Sequence, residues 1–342
     1  MITESLRYLA IVASNVSEFP RAKELLAEAI AMHAEDSDDE GASTALVQLA
    51  TVLYNEGHFA EARVELERVL PIVMSSGHRY REAVVVSNLA AIVVQQGEFG
   101  YGRRLITRGL ELCTDLEDIE GVATAHNIVG EIERRVGNLD SAEDSLRKAL
   151  ETTIPQGFEV VTSDTLLSLA LIRSQRGHND EALANVDDAI TRARRADSTM
   201  AVARGLVGRG YVQLAAGQPD DAAESLRAGL ETARQLELGY LVVEAEAALA
   251  KTAAARGALD EACELAGRVF ATLGRPDLLG AIQPSEIYLF CRQVLVDCGD
   301  PRAGEADVAA HDFLERSAAL IDDDDLRRSF LTRVPTNVEL AR

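Results

Sequence analysis

Several things are scarce in this chain of 342 residues, and each scarcity excludes a class of protein. Basic residues are too few, because 34 of them against 56 acidic ones leave a net charge of −22. That balance argues against nucleic-acid binding and against binding to an anionic membrane surface. No apolar run approaches the roughly 18 residues of a membrane span, and no charged-then-apolar secretion signal opens the chain. We therefore expect a cytoplasmic protein that binds neither nucleic acid nor membrane.

Cysteine and histidine are also scarce, with four and six residues, and they are scattered. Cys113, Cys263, Cys291 and Cys298 form no CxxC pair and no cluster with histidine, so we expect reduced thiols and no metal site. The sequence also lacks the GxxxxGK[ST] phosphate loop, the GxSxG elbow and the HExxH zinc motif. We predict no catalytic residues, no metal and no cofactor, and an enzyme is the least favoured interpretation.

What the sequence has instead is an internal repeat with a period of 40 residues. A glycine recurs at this interval, and the first copy has Ser17 in its place: the positions are Gly57, Gly97, Gly137, Gly177, Gly217 and Gly257. Five residues after each of these positions comes a small residue: Ala22, Ala62, Gly102, Ala142, Ala182, Ala222 and Ala262. A repeat of 20 to 50 residues is typical of a solenoid, in which each unit packs on its neighbours.

Each repeat has the pattern of two helices joined by a tight turn. One helical stripe before Gly57 consists of Leu46, Leu49, Ala50 and Leu53, and a second stripe after it of Ala62, Leu66 and Val69. Glycine is suited to the left-handed residue that ends the first helix. The residue seven before each turn is small in every copy: Ala10, Ala50, Ala90, Gly130, Ala170, Gly210 and Ala250. Two helices approach closely where neither has bulk, so we expect the paired helices to cross there.

Together these positions resemble the tetratricopeptide repeat (TPR). The copy around Gly137 shows the pattern as Val129, Gly130, Gly137, Ala142, Leu146 and Ala149. The resemblance covers roughly residues 3–275, and it departs from the family in its period of 40 rather than 34 residues and in its lack of tryptophan.

The tail carries a second resemblance. Residues 318–337 read Ala-x-x-Ile-x-Asp, then Leu-Arg-x-Ser-Phe-Leu-x-x-Val-Pro-x-Asn, which looks like the C-terminus of large bacterial signalling ATPases and transcriptional regulators. In those proteins a long TPR array follows a nucleotide-binding module, often with a cyclase-like or DNA-binding domain further upstream.

The expected fold is all-α, a right-handed TPR superhelix (an α-solenoid) of about seven repeats, a degenerate eighth pair and a C-terminal capping helix. We expect the array over residues 1–275, with turns at 17, 57, 97, 137, 177, 217 and 257. The degenerate eighth pair is expected over residues 276–321 and a capping tail over residues 322–342. In that tail Leu326, Phe330 and Leu331 would cover the last apolar face of the solenoid.

The TPR resemblance implies that the concave wall is built from the first helix of each repeat. Aligned by the turn glycines, it places a binding groove on Val47, Tyr54, Asn55, Asn127, Glu131, Arg134, Leu167, Leu171, Val207, Tyr211 and Lys251. Asn127 would hold the main chain of a peptide, and Arg134 would meet an acidic side chain of that peptide. The alternative is that Glu131 and Arg135, four residues apart, only stabilise an exposed helix.

The expected function is therefore a non-catalytic scaffold that binds a protein or peptide segment. We interpret it as the regulatory or sensor region of a bacterial signalling protein, with a free-standing peptide receptor or adaptor as the alternative. Nothing in the chain precedes the first repeat to cover its apolar side, so self-association as a homodimer through the N-terminal repeat is a further expectation.

Overall fold

The computed structural model describes residues 2–15, 18–36, 38–273 and 280–342. The turn expected at Ser17 lies outside this part of the chain. The described residues form eighteen helices and no strand: α1 (Ile2–Asn15), α2 (Phe19–Glu35), α3 (Asp39–Asn55), α4 (Phe59–Ser76), α5 (Arg79–Gln95), α6 (Phe99–Asp115), α7 (Ile119–Arg135), α8 (Leu139–Gln156), α9 (Glu159–Gln175), α10 (Asn179–Arg195), α11 (Thr199–Ala215), α12 (Pro219–Gln235), α13 (Gly239–Ala255), α14 (Leu259–Phe270), α15 (Pro284–Asp297), α16 (Ala303–Ala319), α17 (Asp324–Arg333) and α18 (Pro335–Leu340).

The helices repeat in pairs at the interval that the sequence predicts. From α3 to α13 every first helix begins 40 residues after the previous one, at positions 39, 79, 119, 159, 199 and 239. Consecutive helices contact one another, and the first helices of neighbouring repeats also touch, from α1 and α3 through to α11 and α13. The first helices therefore lie together on the inner, concave side of the array. This is the side on which the predicted groove residues are placed.

The turn inside each repeat is formed by the predicted glycine. Gly57 has φ +86°, and its N–H donates to the carbonyl oxygen of Tyr54 at 3.0 Å. The next N–H, of His58, reaches back to the carbonyl oxygen of Leu53 at 2.8 Å. This pair of bonds is the Schellman motif, which satisfies the last carbonyls of a helix and requires a left-handed residue. The five later glycines of the series also have positive φ, which confirms the prediction.

The turn between repeats uses the same left-handed conformation, which the sequence did not reveal. Residues 77, 117, 157, 197 and 237 all have positive φ, and three of them are the non-glycine residues Glu117, Asp197 and Glu237. Before α7 the side chain of Asp118 then caps the next helix by accepting from the N–H of Gly121. Each repeat is thus bounded by two turns of similar geometry, only one of which carries a constant glycine.

The paired helices cross at the small residues. A Cβ added to Gly130 on α7 would lie 2.6 Å from the Cδ2 atom of Leu146 on α8. Ala142 on α8 has no exposed surface. This close approach confirms the crossing point predicted from the sequence, and it allows one apolar core to continue along most of the array.

The C-terminal helices pack on the end of the array and also reach back along it. Helix α15 contacts α13 and α14, and the short helices α17 and α18 contact α16. Leu326 and Phe330 are buried, as expected for a cap, while Leu331 is partly buried. Phe330 also lies 6.2 Å from Phe99 of α6, measured between ring centroids. The superhelix therefore brings the tail onto repeats that precede it by more than 200 residues.

Candidate functional site

The centre of the concave wall is a buried cluster of charged residues on α7. Glu131 accepts hydrogen bonds from Arg134 Nη2 at 2.8 Å and from Arg135 Nε at 2.6 Å, and its other oxygen accepts from Arg134 Nε at 2.9 Å. Arg134 keeps 5% of its surface exposed, so the cluster is not an exposed helix face. Burial alone would raise the pKa of Glu131, but the two arginines outweigh burial and hold that pKa well below its usual range. Burial, with Arg134 as a like charge, lowers the pKa of Arg135.

This cluster binds the main chain of another part of the protein. Arg134 Nη2 donates to the carbonyl oxygen of Ile282 at 3.0 Å, and Arg135 Nη2 donates to the carbonyl oxygen of Ala281 at 2.9 Å. Opposite them on α13, the carboxylate of Glu244 accepts from the N–H of Ile282 at 2.8 Å and from the following N–H at 2.7 Å. The wall therefore recognises two carbonyls and two N–H groups of a peptide chain.

Glu244 belongs to a ladder of charges that the sequence analysis did not select. Asp164 on α9, Arg204 on α11 and Glu244 on α13 each lie thirteen residues before a turn glycine, one helical turn beyond the positions taken from the TPR pattern. Arg204 Nε lies 3.9 Å from Asp164 Oδ1. The desolvating environment of the cleft raises the pKa of both Asp164 and Glu244, and nearby arginines oppose this change. Three successive charges in one register were the signal that could have revealed the ladder.

A small polar pocket of about 70 Å³ opens beside the ladder. Three of the predicted groove residues line it together, namely Tyr54, Asn127 and Glu131. The other polar side chains around it are Gln95, Asp164, Ser168 and Arg204. The amide of Asn127 donates to Thr165 Oγ1 at 2.7 Å, which fixes the orientation of its side chain. The pocket thus offers donors, acceptors and both signs of charge within one cleft.

The remaining predicted groove residues are not in this pocket. Leu167, Leu171, Val207 and Tyr211 are buried. Tyr211 stacks on Phe290 of α15 with 6.0 Å between the ring centroids, so α15 covers this part of the wall. Lys251 lies beside α15 and α16 instead, while Val47 and Asn55 are half-buried on α3. The open part of the wall is therefore smaller than the sequence predicted.

Other kinds of site were also sought in the described part of the chain. No group of three histidine, cysteine, aspartate or glutamate side chains there is placed to hold a metal ion. None of the helices in the described ranges is both long enough and apolar enough to cross a membrane.

Comparison with known proteins gives matches in structure alone. No protein-family model matches the sequence, and no curated protein matches it in sequence. The structure of NprR in complex with its cognate peptide NprX matches with a TM-score of 0.60 and 13% identity, over 99% of this chain and 96% of that one. A Rap protein complexed with competence and sporulation factor matches with a TM-score of 0.57 and 13% identity, over 99% and 97% of the two chains.

A third similar structure is a signal transduction ATPase with numerous domains (STAND) from Pyrococcus horikoshii, which carries a tetratricopeptide repeat sensor. It matches with a TM-score of 0.55 and 18% identity, over 96% of this chain and 50% of that protein. At such identities the likeness shows the fold alone. The chain has the repeated-helix architecture of TPR-type superhelical proteins, as the sequence predicted.

Proposed function

We propose that this chain is a non-catalytic TPR scaffold that binds a protein or peptide segment on its concave wall. The observation that carries the proposal is the set of four hydrogen bonds by which Arg134, Arg135 and Glu244 hold the main chain of residues 281–283. Main-chain groups are common to all peptides, so a wall that binds them here has the chemistry to bind them in a partner.

The open pocket is the part of the wall that we assign to the partner. Asn127 carries a donor and an acceptor on one amide, which suits a peptide bond. Arg204 is placed to meet a carboxylate or carbonyl of the partner, and Asp164 an N–H or a cationic group. Tyr54 adds a large surface at low cost in conformational entropy. A short peptide with mixed polar side chains fits this combination better than an apolar ligand.

We infer that the chain acts as the regulatory or sensor region of a larger bacterial signalling protein in the cytoplasm. The STAND protein supports this interpretation, because its TPR sensor is part of a longer chain and the match spans half of that protein. The alternative is a free-standing peptide receptor or adaptor, which is supported by the Rap and NprR structures because the match spans nearly all of both chains. An ATPase or DNA-binding domain encoded in the same reading frame would favour the first interpretation.

The test of the binding proposal is a selection of short peptides from a random display library against the purified protein, followed by calorimetry. We expect the double variant Asn127→Ala, Arg204→Gln to lose affinity for the selected peptide by at least tenfold while keeping its helical content. The matched control is Arg147→Glu on α8, because that side chain is 63% exposed and pairs only with Asp144 in its own helix. Unchanged binding in the double variant, with binding lost in the control, would place the site on the wrong face.

The homodimer expected from the sequence stays a prediction. The apolar residues exposed on α1 support it: Ile2, Tyr8, Leu9, Ile11 and Val12. A second copy of this face would bury them. Sedimentation of the parent chain and of Val12→Asp is the test, and a parent that remains monomeric at high concentration would contradict the prediction.

A further inference from the structure

The residues that occupy the centre of the concave wall belong to the chain itself. Residues 280–283, which we name the inner segment, precede α15 and lie between α7 and α13. Three of the four wall contacts described above involve Ile282 or its neighbour Gln283, and the Gln283 side chain also accepts from Arg134 Nη1 at 3.2 Å. The inner segment is thus bound as a short peptide would be, by hydrogen bonds to its main chain.

The contacts of the inner segment do not depend on its sequence. The two arginines bind carbonyl oxygens and Glu244 binds N–H groups, all of which any peptide presents. An incoming peptide in the same register would therefore satisfy the same buried charges. This equivalence matters because a buried charge that loses its partner is costly, so the inner segment can leave the wall only when something replaces it.

The inner segment is packed closely on one side only. On the wall side, Gly280 has φ +99° and approaches Phe59 so closely that an added Cβ would lie 2.3 Å from the Cε2 atom of that ring. On its other side is a cavity of about 300 Å³, lined by Gly280 and Ala281 of the inner segment and by aromatic side chains that include Phe99 and Phe313. The inner segment therefore has room to move away from the wall without unfolding its surroundings.

We propose that the inner segment is an internal ligand of the peptide-binding wall, and that an incoming peptide displaces it from Arg134, Arg135 and Glu244. This inference rests on the proposed function and adds its regulation. Helix α15 begins at Pro284, directly after the inner segment, so displacement moves the start of α15 relative to the array. Peptide binding is thereby converted into a shift of the C-terminal helices, which is the output that a sensor requires.

Hydrogen exchange on the full chain tests this proposal, first without peptide. The N–H groups of Ile282 and Gln283 should exchange at least about a hundredfold faster than that of Ala248 in the core of α13, because a displaceable segment opens without global unfolding. Exchange of the two amides as slow as that of Ala248 would overturn the proposal, since the inner segment would then be a permanent part of the core.

The second measurement adds the peptide selected above at saturation. We expect exchange at Ile282 and Gln283 to accelerate by about tenfold or more, because the peptide takes over the acceptor groups of Glu244. Equal or slower exchange in the complex, with peptide bound, would sink this inference and leave the proposed function standing. If no peptide binds either the parent chain or the variant below, the proposed function fails and this inference fails with it.

The variant that isolates the inner segment is Gly280→Ala, which alters no wall side chain. Its added methyl collides with Phe59 and disfavours the bound conformation, so the wall is vacant in a larger fraction of molecules. We expect the Kd for the selected peptide to fall by about tenfold, because apparent affinity scales with the competent fraction. The matched control is Gly299→Ala, at a glycine with φ +65° and no atom within 4 Å of its added Cβ, and its Kd should stay within about twofold of the parent. A Gly280→Ala variant that binds no better than this control would contradict the proposal.

Discussion

Replacement of Glu131 by glutamine is predicted to be costly, because it removes the only carboxylate that bonds both buried arginines of α7. The side chains of Arg134 and Arg135 are 3% and 7% exposed, and both bond to Glu131. Loss of one partner from a buried ion pair costs about 3–5 kcal/mol. We expect the lower end of that range, about 3 kcal/mol, because glutamine keeps one acceptor oxygen and the arginines keep the carbonyls of Ala281 and Ile282.

This cost translates into a measurable change in thermal stability. The entropy of unfolding is about 2.1 cal/mol/K per residue, so for 342 residues that unfold as one unit the Tm falls by about 4 °C. The assay is circular dichroism at 222 nm during thermal and urea unfolding. The matched control is Asp144→Asn on α8, because the Asp144–Arg147 pair is exposed and such pairs contribute about 0–1 kcal/mol.

The same substitution has a defined dependence on pH. The folded-state pKa of Glu131 is lowered from the ordinary value of 4.5, so its contribution is complete above that pH and is lost as the pH falls toward the folded-state value. The difference between parent and variant should therefore be constant from pH 6 to 8 and shrink below about pH 4.5. The reasoning is refuted if Glu131→Gln costs no more than Asp144→Asn, or if the difference grows on acidification.

Three further perturbations test the packing around the site. Gly130→Ala should lower the urea midpoint at a cost of about 1–3 kcal/mol, because the new methyl overlaps Leu146 and overpacking outweighs the better helix propensity of alanine. Burial raises the pKa of Cys291 to about 12, so a thiol reagent at pH 8 should modify it only after urea unfolds the chain. Asn138→Ala removes the acceptor of a serine and an arginine of α17, so protease should cut residues 322–342 faster, with about 1–2 kcal/mol lost in stability.

The local plan of this protein was determined by its sequence. The 40-residue period, the paired helices, the left-handed glycine at residue 57 and the close crossing at Gly130 all follow from residues near one another in the chain. A solenoid makes this possible, because each repeat contacts mainly its neighbours and the core is a sum of similar interfaces. The same reasoning placed Tyr54, Asn127 and Glu131 on the concave side, where they share one pocket.

What only the tertiary structure decided is what lies opposite those residues. The ring of Tyr240 lies 5.9 Å from that of Phe59, and Ile282 lies on Arg134, although 181 and 148 residues separate the two pairs. Such contacts depend on the small rotation between successive repeats, summed over several of them, and no local pattern of residues encodes that sum. For this reason Glu244 could not be distinguished in the sequence from an ordinary surface charge. The curvature of the superhelix buries it against the chain's own main chain.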